Sequence, residues 1–555
     1  MALLQIKTDT DFAKDLLSDV QTIVFTNGVA GATGLFHHSQ VNDIQIKFEA
    51  EVIGNANPNH LNFSGGAVEL KYFTFSTWDN SVDSITINGS NSSENLGGSS
   101  QDDVISGLKG NDTLGGYAGA DILIGGAGKD KMYGGGDNDE FWFTADLTVN
   151  DVVAGELING GGGTDTILVM GSNNQNHDFR SATLSSIEVL QFGSTSLGGV
   201  NVLLNGSQIG VAGGITQVNN MGLNELFVSG TLVDLSSVVF GTALPSFVSV
   251  SVSEVGLVAD NASLTGSTSR DYFRPNTTGT LTILAGDGDD YVTYTDSNGG
   301  AGHSIDGGNG FDTLAMGSSI DQLDLTQFDS VTNIESLQFN LNAYSKFVIN
   351  ETHLTIPLEI YSNFFIVSEF VLNMESGGTV DLSGTSFLAW EAGSDIIRLN
   401  GTASGDQISG SFQNDIINGK GAADTLYGSY GDDVIRGGGG GDNISGGFGR
   451  DVLTGNGGND TFVFNYITES PDAAGRDRIT DFVQGEDEVD VSAIAAFTFI
   501  GGAAFDGSGN AELRFVQNAA GTFTTVHGDS DGNGVVDFQI GFNGAFTLTA
   551  ADFGL

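Results

Sequence analysis

Aspartate residues recur every nine positions in two glycine-rich tracts of the chain. A glycine lies five positions before each of them, and an apolar residue lies two positions after it. Glycine allows tight turns that aim backbone carbonyl oxygens inward, and carboxylates are oxygen ligands for hard cations. The spacing therefore predicts calcium ligation by Asp103, Asp112, Asp121, Asp130 and Asp139 in the first tract, and by Asp406, Asp415, Asp424, Asp433, Asp442, Asp451 and Asp460 in the second.

Single copies of a similar turn lie outside the two tracts. We assign Asp165, Asp290 and Asp312 to calcium on the same grounds. Ordinary turns between strands also favour Asp and Gly, and this alternative stays open for degenerate copies such as Glu94, Asp271 and Asp290. It does not account for the tracts, because ordinary turns would not keep a strict nine-residue phase over seven copies.

The nine-residue period also predicts the fold. The first six residues of a repeat form the turn, the last three form a short strand, and two repeats complete one right-handed coil. The apolar side chains then point into a thin interior, while the aspartates stack in rows along each edge and repel one another without a divalent ion. We expect an all-β chain with right-handed parallel β-roll or β-solenoid calcium-binding arrays, duplicated β-rich middle units and a C-terminal β cap.

Two sets of motifs carry a resemblance to known proteins. The sequences GGAGKDKMY at 125–133 and GGFGRDVLT at 446–454 match the calcium-binding nonapeptide GGxGxDxUx of RTX proteins. The segments DTFVF at 460–464, DRITDFVQGEDEVDVSAI at 477–494 and HGDSDGNGVVDFQI at 527–540 resemble the C-terminal domain of serralysin-type RTX proteins. That resemblance implies a β-roll cap followed by an uncleaved signal for type I secretion from Gram-negative bacteria. The implied partner is the type I secretion machinery, and the implied location is secreted, extracellular or cell surface.

The resemblance does not extend to the serralysin protease. The sequence contains no HExxH, and its seven histidines are scattered. Asp529, Asp531, Asn533 and Asp537 mimic the opening of an EF-hand loop, but Ile540 occupies the twelfth position, where that loop needs a bidentate glutamate. We therefore predict a β-hairpin turn there, with weak calcium affinity.

The composition is strongly acidic. The 555 residues include 69 Asp and Glu against 18 Lys and Arg, a formal net charge of −51, yet 39% of the residues are hydrophobic. Because such a charge opposes compaction while the hydrophobic content suits a packed core, we expect folding to depend on calcium outside the cell. The charge also disfavours nucleic-acid binding, since the phosphate backbone is anionic. The absence of cysteine excludes disulfides and thiol chemistry.

The ends and the hydropathy of the chain add further expectations. The first residues lack the basic and apolar regions of a cleavable secretory signal, and no apolar run is long enough to form a membrane-spanning segment. Alternating apolar and polar stretches favour strands, and the helical candidates are residues 11–17 and a short turn at 492–496.

Two internal duplications organise the chain. Residues 75–107 parallel 387–419 at an offset of 312, and residues 159–172 parallel 306–318 at an offset of 147. We divide the chain into an N-terminal domain of unknown role (1–80), a first RTX β-roll array (81–145), β-rich unit A (146–300), β-rich unit B (301–400), a second RTX β-roll array (401–463), and a C-terminal cap with the type I secretion signal (464–555).

Three functions are compatible with these features. The first is an extracellular structural protein of the surface-layer or matrix type, for which self-association or contact with cell-surface polysaccharide through calcium is expected. The second is a secreted enzyme acting on polysaccharide, although no catalytic motif is found in the sequence. The third is an effector or adhesin that interacts with a host. We favour the structural protein.

Overall fold

Short strands separated by glycine-rich turns form nearly all of the regular structure. In the residues described below, the chain forms 55 strands and three 3₁₀ helices, without an α-helix. The computed structural model describes residues 2–6, 10–11, 20–25, 32–37, 51–53, 58–144, 151–171, 175–193, 200–219, 225–240, 248–251, 261–268, 270–275, 279–295, 302–317, 320–339, 344–353, 358–362, 367–471 and 474–555.

The chain divides into two compact units. The first contains residues 1–279 and 283–290, and the second contains residues 280–282 and 291–555. Strand β29, Leu281–Leu284, has residues in both. The remaining strands of the first unit are β1 Ala2–Ile6, β2 Thr10–Asp11, β3 Val20–Phe25, β4 Ala32–His37, β5 Glu51–Ile53, β6 Asn59–Ser64, β7 Val68–Glu69, β8 Thr74–Ser76, β9 Ser84–Asn88, β10 Asn95–Gly97, β11 Asp103–Ser106, β12 Thr113–Ala118, β13 Ile122–Ile124, β14 Lys131–Gly136, β15 Glu140–Thr144, β16 Leu157–Gly162, β17 Thr166–Met170, β18 Gln175–Asp178, β19 Thr183–Ser185, β20 Val189–Phe192, β21 Val200–Asn205, β22 Gln217–Asn219, β23 Glu225–Ser229, β24 Leu232–Asp234, β25 Val239–Phe240, β26 Val248–Ser251, β27 Ala262–Thr265 and β28 Asp271–Arg274.

The second unit begins its strands at β30. Its three 3₁₀ helices are η1 Leu325–Gln327, η2 Glu351–His353 and η3 Ala550–Asp552. Its strands are β30 Tyr291–Tyr294, β31 Ser304–Asp306, β32 Thr313–Met316, β33 Gln322–Asp324, β34 Ser330–Thr332, β35 Ser336–Gln338, β36 Ser345–Asn350, β37 Glu359–Tyr361, β38 Ser368–Asn373, β39 Thr379–Asp381, β40 Ser386–Leu388, β41 Ile396–Asn400, β42 Gln407–Ser409, β43 Asp415–Gly421, β44 Thr425–Tyr427, β45 Val434–Gly439, β46 Asn443–Ser445, β47 Val452–Gly457, β48 Thr461–Val463, β49 Arg478–Ile479, β50 Glu488–Asp490, β51 Thr498–Phe499, β52 Glu512–Gln517, β53 Phe523–Asp529, β54 Phe538–Asn543 and β55 Phe553–Gly554.

Parallel pairing at an interval of 18 residues builds the first array. Alternate strands of the tract join one sheet through β9, β11, β13 and β15, while the intervening strands β10, β12 and β14 join another. The apolar residue of each repeat is buried and stands in register with the same residue one coil away, as Ile105, Leu123 and Phe141 do. This arrangement confirms the predicted parallel β-roll with a thin apolar interior.

The segment before residue 81 contributes to the same sheet. Strand β4 pairs in parallel with β6, and β6 pairs in parallel with β9, the strand that leads into the first array. Leu61 and Phe63 of β6 are buried next to Ile85 and Ile87 of β9. The first coils therefore lie on a parallel ladder that begins before the nonapeptide pattern does.

The second array repeats this construction and ends against a different kind of sheet. Ile417, Ile435 and Leu453 stand in register on β43, β45 and β47, and the ladder continues to Ile479 of β49. Strand β54 pairs in parallel with β49 but antiparallel with β53, and β53 is antiparallel with β52. The cap is therefore all β, as expected, and includes an antiparallel hairpin.

The two helical expectations have different outcomes. Asp11 lies in strand β2, while residues 12–17 lie outside the described part of the chain. Residues 492–494 form a turn, as expected for the second segment.

Candidate calcium sites

The aspartates of each array form rows that run from coil to coil. The backbone N–H of Asp103 donates to Oδ1 of Asp121 (2.8 Å), and the N–H of Asp121 donates to Oδ1 of Asp139 (2.9 Å). The same contact joins Asp415 to Asp433 (2.7 Å) in the second array. One carboxylate oxygen of each aspartate thus closes the turn of the preceding coil, because that turn leaves its N–H unpaired.

Four rows result, and they unite thirteen of the fifteen aspartates predicted as ligands. All of these aspartates are at most 4% exposed. Row 1 contains Asp103, Asp121, Asp139, Asp165 and Glu188; row 2 contains Glu94, Asp112, Asp130 and Glu156; row 3 contains Asp406, Asp424, Asp442, Asp460 and Asp487; and row 4 contains Asp415, Asp433, Asp451 and Asp477.

The other two predicted residues lie in separate pairs. Asp290 accepts a hydrogen bond from the N–H of Asp271 (2.7 Å) in the first unit. The N–H of Asp312 donates to Glu335 (2.9 Å) in the second unit, and the N–H of Asp165 donates to Glu188 at the same distance. The two copies of the 147-residue duplication therefore contain the same acidic contact.

The second carboxylate oxygen is left without a hydrogen-bond partner in most row members. This is the case for Oδ2 of Asp112, Asp121, Asp130, Asp433 and Asp442, all of which are shielded from solvent. In three members this oxygen instead accepts a hydrogen bond from the N–H of the residue four positions earlier: Ser99 donates to Asp103, Thr402 to Asp406 and Ser411 to Asp415. A buried carboxylate oxygen without a partner is costly, so the rows require a cation or a proton.

A glycine keeps the space beside each orphaned oxygen open. A Cβ placed on Gly116 would overlap Oδ2 of Asp121 and lie 2.6 Å from the carbonyl oxygen of Gly134, one coil further on. Carboxylate and carbonyl oxygens from successive coils thus border the same small space. Six to eight such oxygens are what Ca²⁺ prefers, so the residues present fit this ion.

Burial and mutual repulsion disturb the ionisation of the rows. Burial, followed by repulsion from Asp103, raises the pKa of Asp121 to about 9. Burial, followed by repulsion from Asp415 and Asp451, raises the pKa of Asp433 to about 10. Without a cation, the middle of each array would therefore hold protons at neutral pH. The positive charge of a bound divalent ion would offset both the burial of the carboxylates and their mutual repulsion.

Sequence reasoning missed the acidic residues that extend the rows beyond the nonapeptides. These residues are Glu156, Glu188, Glu335, Asp477 and Asp487, and each follows the previous row member by 23 to 27 residues instead of 18. The sequence does contain a signal for these acidic residues. As in the repeats, an apolar residue that is buried in the structure follows two positions after each of them: Ile158, Leu190, Leu337, Ile479 and Val489.

The hairpin between β53 and β54 contains the sequence that mimics an EF-hand opening. The antiparallel pairing of these strands confirms the predicted β-hairpin. Carboxylate oxygens of Asp529, Asp531 and Asp537 lie within 4.8 Å of one another. The Asp529 carboxylate already accepts hydrogen bonds from the N–H groups of Asn533 (3.1 Å) and Gly534 (2.7 Å), so it serves the turn itself.

Family comparisons agree with this geometry. The RTX calcium-binding nonapeptide repeat, in a model of four copies, matches residues 88–123, 97–132 and 110–141. The peptidase M10 serralysin C-terminal domain matches residues 387–554. The chain carries RTX repeats and a serralysin-type C-terminal domain. The RTX repeats bind calcium at multiple sites. The serralysin-type C-terminal domain is found in RTX proteins exported by type I secretion. The protein is therefore a secreted calcium-binding protein.

Two solved structures are similar to part of this chain. The AlgE6R3 subunit of the Azotobacter vinelandii mannuronan C5-epimerase is 31% identical, with 28% of this chain and 79% of that chain covered and a TM-score of 0.17. The AlgE6R2 subunit of the same enzyme is 32% identical, with 28% and 89% covered and a TM-score of 0.18. No curated protein matches the chain. In its described part, no helix is long and apolar enough to cross a membrane.

Proposed function

We propose that the protein is an extracellular structural protein of the surface-layer or matrix type, and that its calcium-stiffened β-roll is itself the function. The observation that carries this proposal is the continuation of the acidic contacts outside the nonapeptide arrays. Asp165 with Glu188, Asp271 with Asp290, and Asp312 with Glu335 use the backbone-to-carboxylate contact of the rows. The β-rich middle units thus contain the same backbone-to-carboxylate contact as the arrays.

The ion ligands in this proposal are the row aspartates together with Asp290 and Asp312. Their carboxylate oxygens and the adjacent turn carbonyls would bind calcium, and ions bound in this way would fix the spacing between coils. Binding of an ion to the folded state alone contributes directly to folding. Extracellular calcium modules have dissociation constants of about 10⁻⁴ to 10⁻³ M, so such a scaffold would stiffen outside the cell.

The remaining surface charge supports assembly through calcium. Even with the row carboxylates neutralised, acidic residues still outnumber lysine and arginine in the chain. Two such surfaces repel each other at close range unless divalent ions lie between them. Calcium would therefore control both the stiffness of one molecule and its contact with the next, or with an anionic polysaccharide at the cell surface.

The contacts of the described histidines are typical of side chains that pack within a fold, which favours the structural role over a catalytic one. His60 contacts the Ser84 hydroxyl (2.6 Å), and His303 packs edge-on against Tyr294 at 5.8 Å. Burial lowers the pKa of His177 to about 4, so this residue is neutral at physiological pH.

Fractionation of the producing cells tests the proposal. We expect the protein on the cell surface in millimolar calcium and in the supernatant after EGTA treatment, while magnesium alone should not retain it. Purified protein should also form ordered assemblies with calcium in negative-stain electron micrographs. Monomeric protein in the medium at every calcium concentration would contradict the structural role. Turnover of a polysaccharide by the purified chain would establish the enzymatic alternative.

A further inference from the structure

A groove lies on the outer face of the first array, across strands β7, β10, β12 and β14. Glu69, Gly97, Gly115 and Tyr133 stand in register on these four strands. Because the two glycines have no side chains, the floor of the groove between its two ends is backbone. The volume of the groove is about 400 Å³, within the range of about 300–1,000 Å³ that is usual for small-molecule sites.

Charged and phenolic groups meet at one end of this groove. The Tyr117 hydroxyl donates to Oε2 of Glu69 (3.2 Å). A Cβ on Gly97 would lie 2.5 Å from Oε1 of Glu69, so the carboxylate extends over the glycine floor. The Lys71 ammonium lies 5.0 Å from the centroid of the Tyr72 ring and 5.5 Å from that of Tyr117. A carboxylate, an ammonium group and a phenol therefore lie side by side.

The donors of the groove remain protonated at neutral pH. The neighbouring Tyr117 and Glu69 raise the pKa of Lys71, so its ammonium group keeps its charge. Burial, followed by the charge of Glu69, raises the pKa of Tyr117, so its phenol keeps the proton that it donates. The groove thus presents hydrogen-bond donors and a carboxylate acceptor together.

The second array has the same scaffold without this groove. At the offset of 312, SGGAVEL at 64–70 corresponds to SGGTVDL at 376–382, so Asp381 takes the place of Glu69. The matching row on the outer face contains Asp381, Ser409, Tyr427 and Ser445. Side chains therefore stand where the first array has its two bare glycines.

The groups around the floor differ in the same way. Lys71, Tyr72 and Tyr117 correspond to Ser383, Gly384 and Ser429. Because the second array keeps its aspartate rows and its apolar interior with these other residues, the repeat itself does not require the groove. Its lining is an added feature of the first array's surface.

The lining suits a sugar ring. A pyranose has C–H faces that pack on aromatic side chains, and a rim of hydroxyls that donate to carboxylates and accept from ammonium groups. Tyr117 and Tyr133 are 40% and 38% exposed, so their rings are accessible to such a ligand. The side chains of Asn95 and Thr113 add further polar groups to the lining.

Charge distinguishes neutral sugars from anionic ones. Within the groove, the charges of Glu69 and Lys71 offset each other. The chain as a whole carries a formal net charge of −51 and repels a polyanion at long range. A neutral sugar binds without that repulsion.

We propose that this groove is a binding site for a neutral hexopyranose unit of a glycan. Glu69 accepts hydrogen bonds from sugar hydroxyls and Lys71 donates to a sugar oxygen. The rings of Tyr117 and Tyr133 pack against the C–H groups of the sugar, which lies on the glycine floor. This inference does not depend on a surface-layer role, and its failure would leave the calcium-dependent scaffold as proposed.

Filling the floor in the full-length chain tests the site. Gly115 has no positive φ, and its added Cβ would lie 3.9 Å from Cζ of Tyr117, an ordinary contact, so we expect Gly115→Leu to fold. The leucine side chain would then occupy the groove. Tyr427→Leu places the same residue at the equivalent position of the second array and is the matched control. Circular dichroism in millimolar calcium checks that both variants are folded.

Binding is measured in millimolar calcium on an array of neutral gluco-, manno- and galacto-oligosaccharides, followed by calorimetric titration of the oligosaccharide that binds best. G115L should lose binding, whereas Y427L should match the native chain. Glu69→Gln keeps the size of the side chain and should weaken binding by about tenfold, as the loss of a charged hydrogen-bond acceptor predicts. Asp381→Asn, its counterpart in the second array, should have no effect.

Three results would overturn the proposal. The first is a folded native chain that binds none of these neutral oligosaccharides at millimolar concentration. The second is binding by G115L that equals native binding. The third is binding of oligouronates alone, which would place the ligand on the calcium-loaded rows or another surface and exclude a neutral sugar in the groove.

Discussion

The two arrays share their entry and their interior but differ at their exit. At the entry, Phe75 packs edge-on against Trp78 at 5.2 Å, and Phe387 packs against Trp390 at 5.0 Å. Asp83 closes a turn before the first array, and Asp395 closes the matching turn before the second. At the exit, the first array continues to Gly160 and β16, whereas the second continues through β49 to strand β54 of the cap. The duplication thus preserves the aspartate rows, and the two arrays differ at the segment that follows each of them.

The arrays also differ on one exposed edge. Phe412, Tyr430, Phe448 and Tyr466 recur every 18 residues in the second array, and their rings stack with centroids 4.9, 4.9 and 6.2 Å apart. The corresponding residues at the offset of 312 are Ser100, Ala118, Gly136 and Ala154. An aromatic edge can therefore be present in one array and absent from the other while both keep the same aspartate rows.

The largest expected effect is the pH dependence of the metal-free chain. Burial raises the pKa of Asp121 to about 9 and that of Asp433 to about 10, against 3.8 as the ordinary value. A raised folded-state pKa means that the folded state binds protons more tightly, so its stability is fully present below about pH 4 and is lost as the pH rises through the folded values.

Circular dichroism in EGTA measures this effect. The β signal should be stronger at pH 5 than at pH 8, and both arrays should contribute because both contain such residues. With calcium present the trend should reverse, since protons then compete with the ion for the same oxygens. A metal-free chain equally structured at both pH values would contradict the assignment of buried, repelling rows.

Truncation of the shared interior should affect the two arrays alike. Leu114 and Ile435 are fully buried at the apolar position of their repeats. Each change to alanine should destabilise its array by about 2–5 kcal/mol, from lost burial and the cavity left behind. Chemical unfolding at saturating calcium, read from an intrinsic or introduced fluorophore in each array, gives the two values. A difference of several kcal/mol between L114A and I435A would break the equivalence of the interiors.

Filling the glycine space should weaken calcium binding in either array. An added Cβ at Gly116 would overlap Asp121 Oδ2, and one at Gly428 would overlap Asp433 Oδ2. Neither glycine has a positive φ, so alanine adds no backbone strain. Crowding by the added methyl group should lower the free energy of unfolding by about 1–3 kcal/mol. Calorimetric titration should show weaker calcium binding for G116A and G428A. Gly384→Ala is the control, because a Cβ at Gly384 would lie in open space and its φ is not positive.

The smallest expected effect is on the aromatic edge. Tyr430 stacks on Phe412 and Phe448, and each aromatic pair contributes about 0.5–1.5 kcal/mol beyond burial. Tyr430→Ala should lower the thermal midpoint of the second array by a few degrees and leave calcium binding unchanged, because the stacked rings lie at an exposed edge whereas the row aspartates are buried. A loss of calcium affinity in Y430A would show that the edge and the rows are not independent.

Much of the architecture could be predicted from the sequence because the repeat is local. A fixed interval of nine residues places Asp121 beneath Asp103 and Leu123 beside Ile105 without any knowledge of distant segments. The hairpin at Asp529 could also be predicted. The twelfth position of the glycine-rich loop is Ile540 and not the glutamate that an EF-hand needs, so a turn between strands is the remaining interpretation.

The extensions of the rows could not be predicted in the same way. Glu156 and Asp477 follow their partners by 26 residues, so their pairing depends on how many residues the inserted loop absorbs, which the repeat does not encode.

The central claim is that calcium neutralises buried carboxylate rows and so permits the arrays to fold. The most direct measurement is a calcium titration of the metal-free chain at neutral pH, followed by far-ultraviolet circular dichroism. We predict a large, cooperative gain of β signal at roughly millimolar calcium, reversed by EGTA. A spectrum that is the same with and without calcium would contradict the claim.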